Sequence, residues 1–291
     1  MRSPRLVLGL LLVQSMANLF PYAAAHPAVP QRADSGAAPA QNYLGFDRNI
    51  YPGDAALPVL RKSFSFTGFW ISPPPGETAN TWVGKRPLLR ELGFGFLVLY
   101  RGRATKELKS ASDAEEKGKR DARDGAANAS REGFPPGTIV FLDIEEGGRL
   151  SPAFHVYLRA WADVLSNAGY RPGLYCSSMA VNEGRGVSIT TADDIRANEA
   201  PRQFSYWVYN DVCPPAPGCV SERTAPAPAA SGTPYAAVWQ FAQSPRRKEF
   251  TAKCAATYAR DGNCYAPGDA AHAWFLDLNT ATSADPSGGA K

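Results

Sequence analysis

Residues 138–146 read Thr-Ile-Val-Phe-Leu-Asp-Ile-Glu-Glu. The uncharged, β-branched and aromatic run from Thr138 to Leu142 has the composition of a strand buried on both faces, as in a parallel sheet covered by helices. In extended backbone, residues two apart share a face. Asp143 and Glu145 therefore project together, while Leu142 and Ile144 face the opposite layer. Two neighbouring carboxylates repel and partial burial adds to the effect, so one of them should hold its proton to higher pH, as a general acid for a glycosidic oxygen must.

Working outward, seven further segments have strand composition: 43–49, 66–72, 94–102, 171–177, 206–211, 236–242 and 273–279. Helical signals separate the earlier ones. Ser151-Pro152 supplies an N-cap and a proline at the first helical position. Phe154, Leu158, Trp161 and Leu165 then fall on one face, and Gly169 supplies the stop. Residues 112–132 are alanine-rich and charged, with a Ser112-x-x-Glu115 capping box, and predict a mostly exposed helix. A shorter helix is expected over 191–198. Strand, helix, strand repeated through the first five strands predicts right-handed βαβ units and a TIM-type (β/α) barrel. The connections after strands six and seven are Pro- and Cys-rich, so the last third should be irregular. A doubly wound open sheet would need a glycine-rich phosphate turn after the first strand, and GFDRNIYPGD at 45–54 is not one.

The flanks read differently. Arg2 and Arg5, the apolar run 6–13 and Ala23-Ala24-Ala25 have the order of a secretory signal peptide over 1–25, cleaved near His26. The apolar run is too short to span a bilayer. Residues 26–42 predict a flexible leader and 281–291 a disordered tail, leaving 43–280 for one barrel domain in a secreted or periplasmic monomer without an integral membrane segment. The net charge of +4 over 291 residues is dispersed, which speaks against a nucleic-acid partner. Arg246-Arg247-Lys248 is expected to be a solvated loop. Of the five cysteines, Cys213 with Cys219 and Cys254 with Cys264 could each close a local ring, leaving Cys176 buried and inert. Neither pair has CxxC spacing, and His26, His155 and His272 are scattered, so no metal and no cofactor are expected.

In a (β/α) barrel the C-terminal strand ends carry the chemistry. Asp47, Asp143, Glu145, Asp211 and Asp277 occupy such ends, with Asp211, beside a cysteine pair, favouring a structural role. Aromatic residues at Trp70, Tyr100, Tyr175, Trp207, Tyr209 and Trp239 offer stacking surfaces for sugars, although most strand aromatics in any barrel are core. Gln240 and Asn279 add amides. The chain has no GxSxG, Walker, HExxH or GxGxxG motif, which removes the parts that serine hydrolases, nucleotide-binding proteins and zinc proteases need.

GFD at 45–47, GFPPGTIVFLDIE at 133–145, AGYRPGLYCS at 168–177, WVYN at 207–210, VWQFA at 238–242 and FLDLN at 275–279 together resemble the glycoside-hydrolase-like domain of unknown function 1906. That domain is similar to glycoside hydrolase family 25, the lysozymes that cut peptidoglycan. The resemblance implies five β/α units followed by three strands, Glu145 as general acid assisted by Asp143, and Asp47 and Asp277 as the acids of the first and last strands. It also implies cleavage that retains anomeric configuration, with the substrate's own N-acetyl group as a candidate nucleophile. One family acid lacks a clear counterpart, Asp261 and Asp269 being the nearest substitutes. The expected function is hydrolysis of peptidoglycan or a related amino-sugar glycan. The alternatives are a wall-binding barrel without catalysis and an effector or immunity-type partner of another exported protein.

Overall fold

The computed structural model describes residues 41–210, 225–252, 254 and 258–291. The expected signal peptide, most of the leader, Asp211 and the Cys213/Cys219 pair lie outside the described residues. Among those described, no helix is long and apolar enough to cross a membrane.

Along the chain run β1 (Tyr43–Asp47), α1 (Leu57–Leu60), β2 (Phe66–Trp70), α2 (Arg86–Glu91), β3 (Gly95–Arg101), α3 (Ala111–Arg131), β4 (Ile139–Asp143), α4 (Pro152–Asn167), β5 (Arg171–Ser177), β6 (Val181–Gly184), β7 (Val187–Ile189), α5 (Thr191–Asn198), β8 (Ser205–Tyr209), β9 (Val238–Ala242), α6 (Lys248–Thr251) and β10 (Asp277–Ala281). Eight strands close a barrel in the order β1-β10-β9-β8-β5-β4-β3-β2. The expected α/β barrel is therefore the fold. Neighbours are parallel except at β10, which is antiparallel to both β9 and β1.

The last strand corrects the sequence expectation. It begins at Asp277, not at residue 273, and it runs backwards. Because the strand is reversed, its first residue lies at the barrel end where the other strands finish. Asp277 is thus the register partner of Asp47. The β6/β7 hairpin, with Val181 and Val187 exposed, was not foreseen; it is two short exposed strands with no buried face to impose a pattern.

Helix α3 is mostly exposed, as its charge suggested, but one side of it is packed against α4. Its N-cap is Ser110, whose hydroxyl accepts from Asp113 N–H at 3.2 Å. Ala114, Gly118, Ala122, Gly125, Ala126 and Ala129 form a buried stripe of small residues on one side. A Cβ on Gly118 would lie 2.4 Å from the Tyr157 carbonyl oxygen of α4, so the two helices approach as closely as backbone permits. The stripe is legible in the sequence, but alanine carries little hydrophobic weight, and the acidic and basic residues dominate the reading.

The C-terminal residues are also ordered, against expectation. Ser287 N–H donates to Phe96 O at 2.8 Å, its carbonyl accepts from Ile139 N–H at 2.8 Å, and its Oγ accepts from Val98 N–H at 2.9 Å. The β3–β4 pairing starts only at Val98 and Val140. The tail segment fills the gap below, satisfying strand groups that the diverging neighbour leaves open. The buried Arg86 guanidinium then donates to the carbonyls of Gly289 and Lys291 at 2.7 and 3.0 Å. An apolar period is absent because these contacts are made by backbone.

Candidate functional site

The alternation in 138–146 is realised. Ile144 is fully buried on the helix side, while Asp143 and Glu145 both line a cavity of about 450 Å3 at the barrel mouth. Asp143 is buried and Glu145 is exposed to solvent. The two side chains share a hydrogen bond, and Asp143 is pushed well above the usual carboxylate range, first by burial and then by the charge of Glu145, with Arg101 opposing. Asp143 therefore holds its proton to higher pH than a free carboxyl does, and its neighbour Glu145 is reachable from solvent.

Asp47 and Asp277 enter from the other side of the same cavity. Burial raises Asp47 from 3.8 to about 6, opposed by hydrogen bonds from Asn279 and Gln240. Both amides donate to one oxygen, Asp47 Oδ1: Asn279 Nδ2 at 2.6 Å and Gln240 Nε2 at 2.9 Å. Further donors behind the amides fix their orientation. Trp207 Nε1–H donates to Asn279 Oδ1 at 2.9 Å, and both the Tyr175 hydroxyl (2.7 Å) and Gln243 Nε2 (2.8 Å) donate to Gln240 Oε1. With their oxygens occupied, the amides can only present N–H to Asp47. Asp277 is also held well above the usual range, by burial and the nearby Asp47 charge, and accepts from Ser244 N–H.

Backbone room is part of the design. A Cβ on Gly68 of β2 would sit 2.5 Å from Asp47 Cβ, so the carboxylate keeps its place because the facing strand has no side chain there.

The cavity brings together most of the expected binding residues. Trp70, Tyr175, Trp207, Tyr209 and Gln240 line it, with the Tyr175 and Tyr209 rings stacked at 4.9 Å. Asn279 lies directly behind, bonded to Asp47. Two residues are corrected. Trp239 adjoins Gln240, so alternation sends it through the opposite face, where its indole N–H donates to Asn210 Oδ1 at 3.0 Å. Tyr100 adjoins the cavity-lining Leu99 and likewise turns away, donating to Asp124 at 3.0 Å beside a separate hollow. Asp261 and Asp269 do not line the cavity: Asp261 accepts from the Tyr265 hydroxyl, and Asp269 from the Ala273 and Trp274 N–H groups. Arg247, expected in a solvated loop, lines the cavity with its guanidinium 5.9 Å from the Tyr209 ring centre. Gln243, Ser244 and Pro245 join it from the same segment. The signal for these was available, since 243–247 directly follow the strand holding Gln240.

Among the described residues no group of His, Cys, Asp and Glu has the arrangement of a metal site. Cys176 is a fully buried thiol whose ionisation burial opposes. His155 is bonded to Glu199 at 2.8 Å and Asp194 at 3.1 Å, so neither residue supports cysteine catalysis.

The model of the Rv2525c-like, glycoside hydrolase-like domain family matches residues 84–253, more than half the chain. The chain belongs to that family. The matched span contains Asp143 and Glu145, whereas Asp47 and Asp277 lie outside it and join the site through barrel closure. Among solved structures, an uncharacterized B. stearothermophilus protein is 19% identical over 82% of this chain and 95% of its own, with a TM-score of 0.51, a likeness of fold. The Tat-secreted protein Rv2525c of Mycobacterium tuberculosis, in complex with HEPES, is 14% identical over 86% of this chain and 98% of its own, with a TM-score of 0.49. The modular autolysin LytC from Streptococcus pneumoniae, in complex with a synthetic peptidoglycan ligand, is 12% identical over 82% and 46%, with a TM-score of 0.47. No curated protein matches the chain.

Proposed function

We propose that this glycoside hydrolase-like domain hydrolyses peptidoglycan or a related amino-sugar glycan, with Glu145 as general acid. The observation that carries the reading is a solvent-reachable carboxyl hydrogen bonded to a buried one, facing two more acids across a cavity lined by aromatic residues. In this scheme the Asp143–Glu145 pair delivers its proton through Glu145 to the glycosidic oxygen as the C–O bond breaks. Asp47 and Asp277 face the positive charge that develops at the anomeric carbon, or hold an N-acetyl N–H in place for attack on it. Water then supplies hydroxide to the anomeric carbon and returns a proton to the pair. Trp70, Tyr175 and Tyr209 provide ring surface for the sugar's apolar faces, with the fully buried Trp207 behind them.

The test is release of muropeptides or reducing ends from purified walls. Glu145→Gln, which keeps the shape and loses the transferable proton, is expected to lower the rate by roughly 100-fold or more. Absence of product from a panel of walls and chitin oligomers rejects catalysis. A barrel that only binds is then recognised by thermal protection from uncut wall fragments that Glu145→Gln leaves unchanged.

The proposal extends to export and cross-linking. Mass spectrometry of the mature chain is expected to place its first residue near His26. Cys254 and Cys264, both buried, are proposed as a disulfide that anchors the segment after β9, where Cys264 N–H donates to Ser244 Oγ at 2.8 Å, and a peptide map without reduction reads the pair directly.

A further inference from the structure

The chain that follows Ile144 is held by side chains alone. Ile144 N–H still donates to Tyr175 O of β5 at 2.9 Å, as a strand residue would. From Glu145 to Leu150, just before the Ser151 cap of α4, no backbone group bonds to another backbone group among the described residues. The segment contains Gly147 and Gly148, the latter at φ +71°, so its own sequence imposes little on its path. Such a backbone needs outside anchors if the carboxyl of Glu145 is to stay in one place.

Three residues supply them. Glu146 Oε1 accepts from Thr105 N–H, in the turn after β3, at 2.6 Å. Thr191 Oγ1, at the start of α5, lies 3.0 Å from Glu146 O and 2.9 Å from Gly148 O, so one hydroxyl proton serves the carbonyls on either side of Gly147. The cap of α5 is Thr190, whose hydroxyl accepts from Asp193 N–H at 3.0 Å, which leaves the Thr191 hydroxyl to the loop. Asp194 is fully buried: its Oδ2 accepts from Leu150 N–H at 2.9 Å and its Oδ1 from Arg149 Nη1 at 3.2 Å. His155 Nε2 at 3.1 Å and Asn198 Nδ2 at 3.0 Å hold the same carboxylate. Arg149 in turn donates through Nε and Nη2 to Glu183 of β6, at 2.9 Å each. None of Glu146, Thr191 and Asp194 lines the cavity.

We propose that Thr191, Asp194 and Glu146 are positioning residues for Glu145, fixing the loop behind it so that its carboxyl meets Asp143 at the barrel mouth. The assignment rests on the reading of Glu145 as proton donor, and it extends the working unit to α5, outside the cavity. A proton donor must lie within hydrogen-bond reach of the atom it serves, so a shift of about 1 Å costs rate steeply. The same shift weakens the contact of Glu145 with Asp143, whose hold on its proton Glu145 helps to strengthen.

The experiment compares the full chain with Thr191→Val, which keeps the branched shape and removes the hydroxyl, and with Thr191→Ser, which keeps the hydroxyl. The first readout, carboxyl-carbon NMR titration of Asp143, needs no substrate. Thr191→Val is expected to move the Asp143 midpoint down toward the ordinary carboxylate range, Thr191→Ser to leave it in place, and Thr191→Val in a Glu145→Ala background to move nothing. On purified walls, Thr191→Val is expected to lower kcat by roughly ten- to a hundredfold with KM nearly unchanged. A midpoint that stays put in Thr191→Val, that moves as far in Thr191→Ser, or that still moves without Glu145 overturns the assignment, as does wall cleavage at an undiminished kcat. Unfolding of Thr191→Val, seen by thermal melt, moves the comparison to Glu146→Ala against Glu146→Gln, which keeps an acceptor for Thr105 N–H; equal midpoints in those two have the same force. A protein whose midpoint moves as expected yet cuts no wall refutes the hydrolase reading and leaves the anchoring of Glu145 standing.

Discussion

Asp47→Asn is expected to stabilise the protein while weakening its chemistry. Both donors to Asp47 bond the same oxygen, so an asparagine with its carbonyl in that position keeps both hydrogen bonds and places its amino group where Oδ2 stood. What is lost is the cost of ionising a buried carboxyl. The group moves from 3.8 to about 6 on folding, a change of about two pKa units, or about 3 kcal/mol. The sign follows from proton uptake. A carboxyl whose pKa is raised in the fold binds more protons there than when unfolded. Its contribution to stability therefore falls as pH rises from about 4 to about 6, then levels off. The variant's advantage should be about 3 kcal/mol at pH about 7.5, equivalent to a Tm rise of roughly 6–12 °C for a domain of this size, shrinking to about 1 kcal/mol at pH about 4.5. Urea melts of both proteins across that pH range measure it. A variant that is less stable at neutral pH, or whose advantage does not shrink on acidification, refutes the claim that burial is the dominant influence on Asp47.

Three other outcomes are expected. If walls are cut, kcat/KM falls on the alkaline side as the Asp143–Glu145 pair loses its proton, and Asp47→Asn moves that limb to lower pH, because the Asp47 charge helps to raise Asp143; a pH–rate profile of each protein checks this. Gly118→Ala, which drives a methyl against the Tyr157 carbonyl, should cost about 1–3 kcal/mol in chemical denaturation even though alanine favours helix. Ser287→Ala leaves the buried Val98 N–H without its acceptor and should cost about 1–3 kcal/mol, with faster amide exchange at Val98 as the local readout.

Much of the site was legible because its signals are local. The alternation that aims Asp143 and Glu145 into one cavity is a property of extended backbone, and Asp47 could be placed from the end of the first strand. The same rule, applied strictly, excludes Trp239 once Gln240 faces inward, since adjacent residues cannot share a face. Residues 243–247 were harder. They form no element with a period, and only their position after β9 brings Arg247 to the cavity.

By itself, then, the chain determined the strand composition, the helix cap at Ser151 and the short helix over 191–198, and the pairing of two acids on one strand, because these depend on neighbours within a few residues. The tertiary structure alone decided that β10 runs backwards and sets Asp277 opposite Asp47, that two amides converge on one carboxylate oxygen, and that the C-terminal residues seal β3 and β4. The amide and Val98 contacts join residues more than 180 positions apart, and the Ile139–Ser287 bond spans 148; no local pattern encodes which distant backbone groups remain unpaired until the barrel has closed.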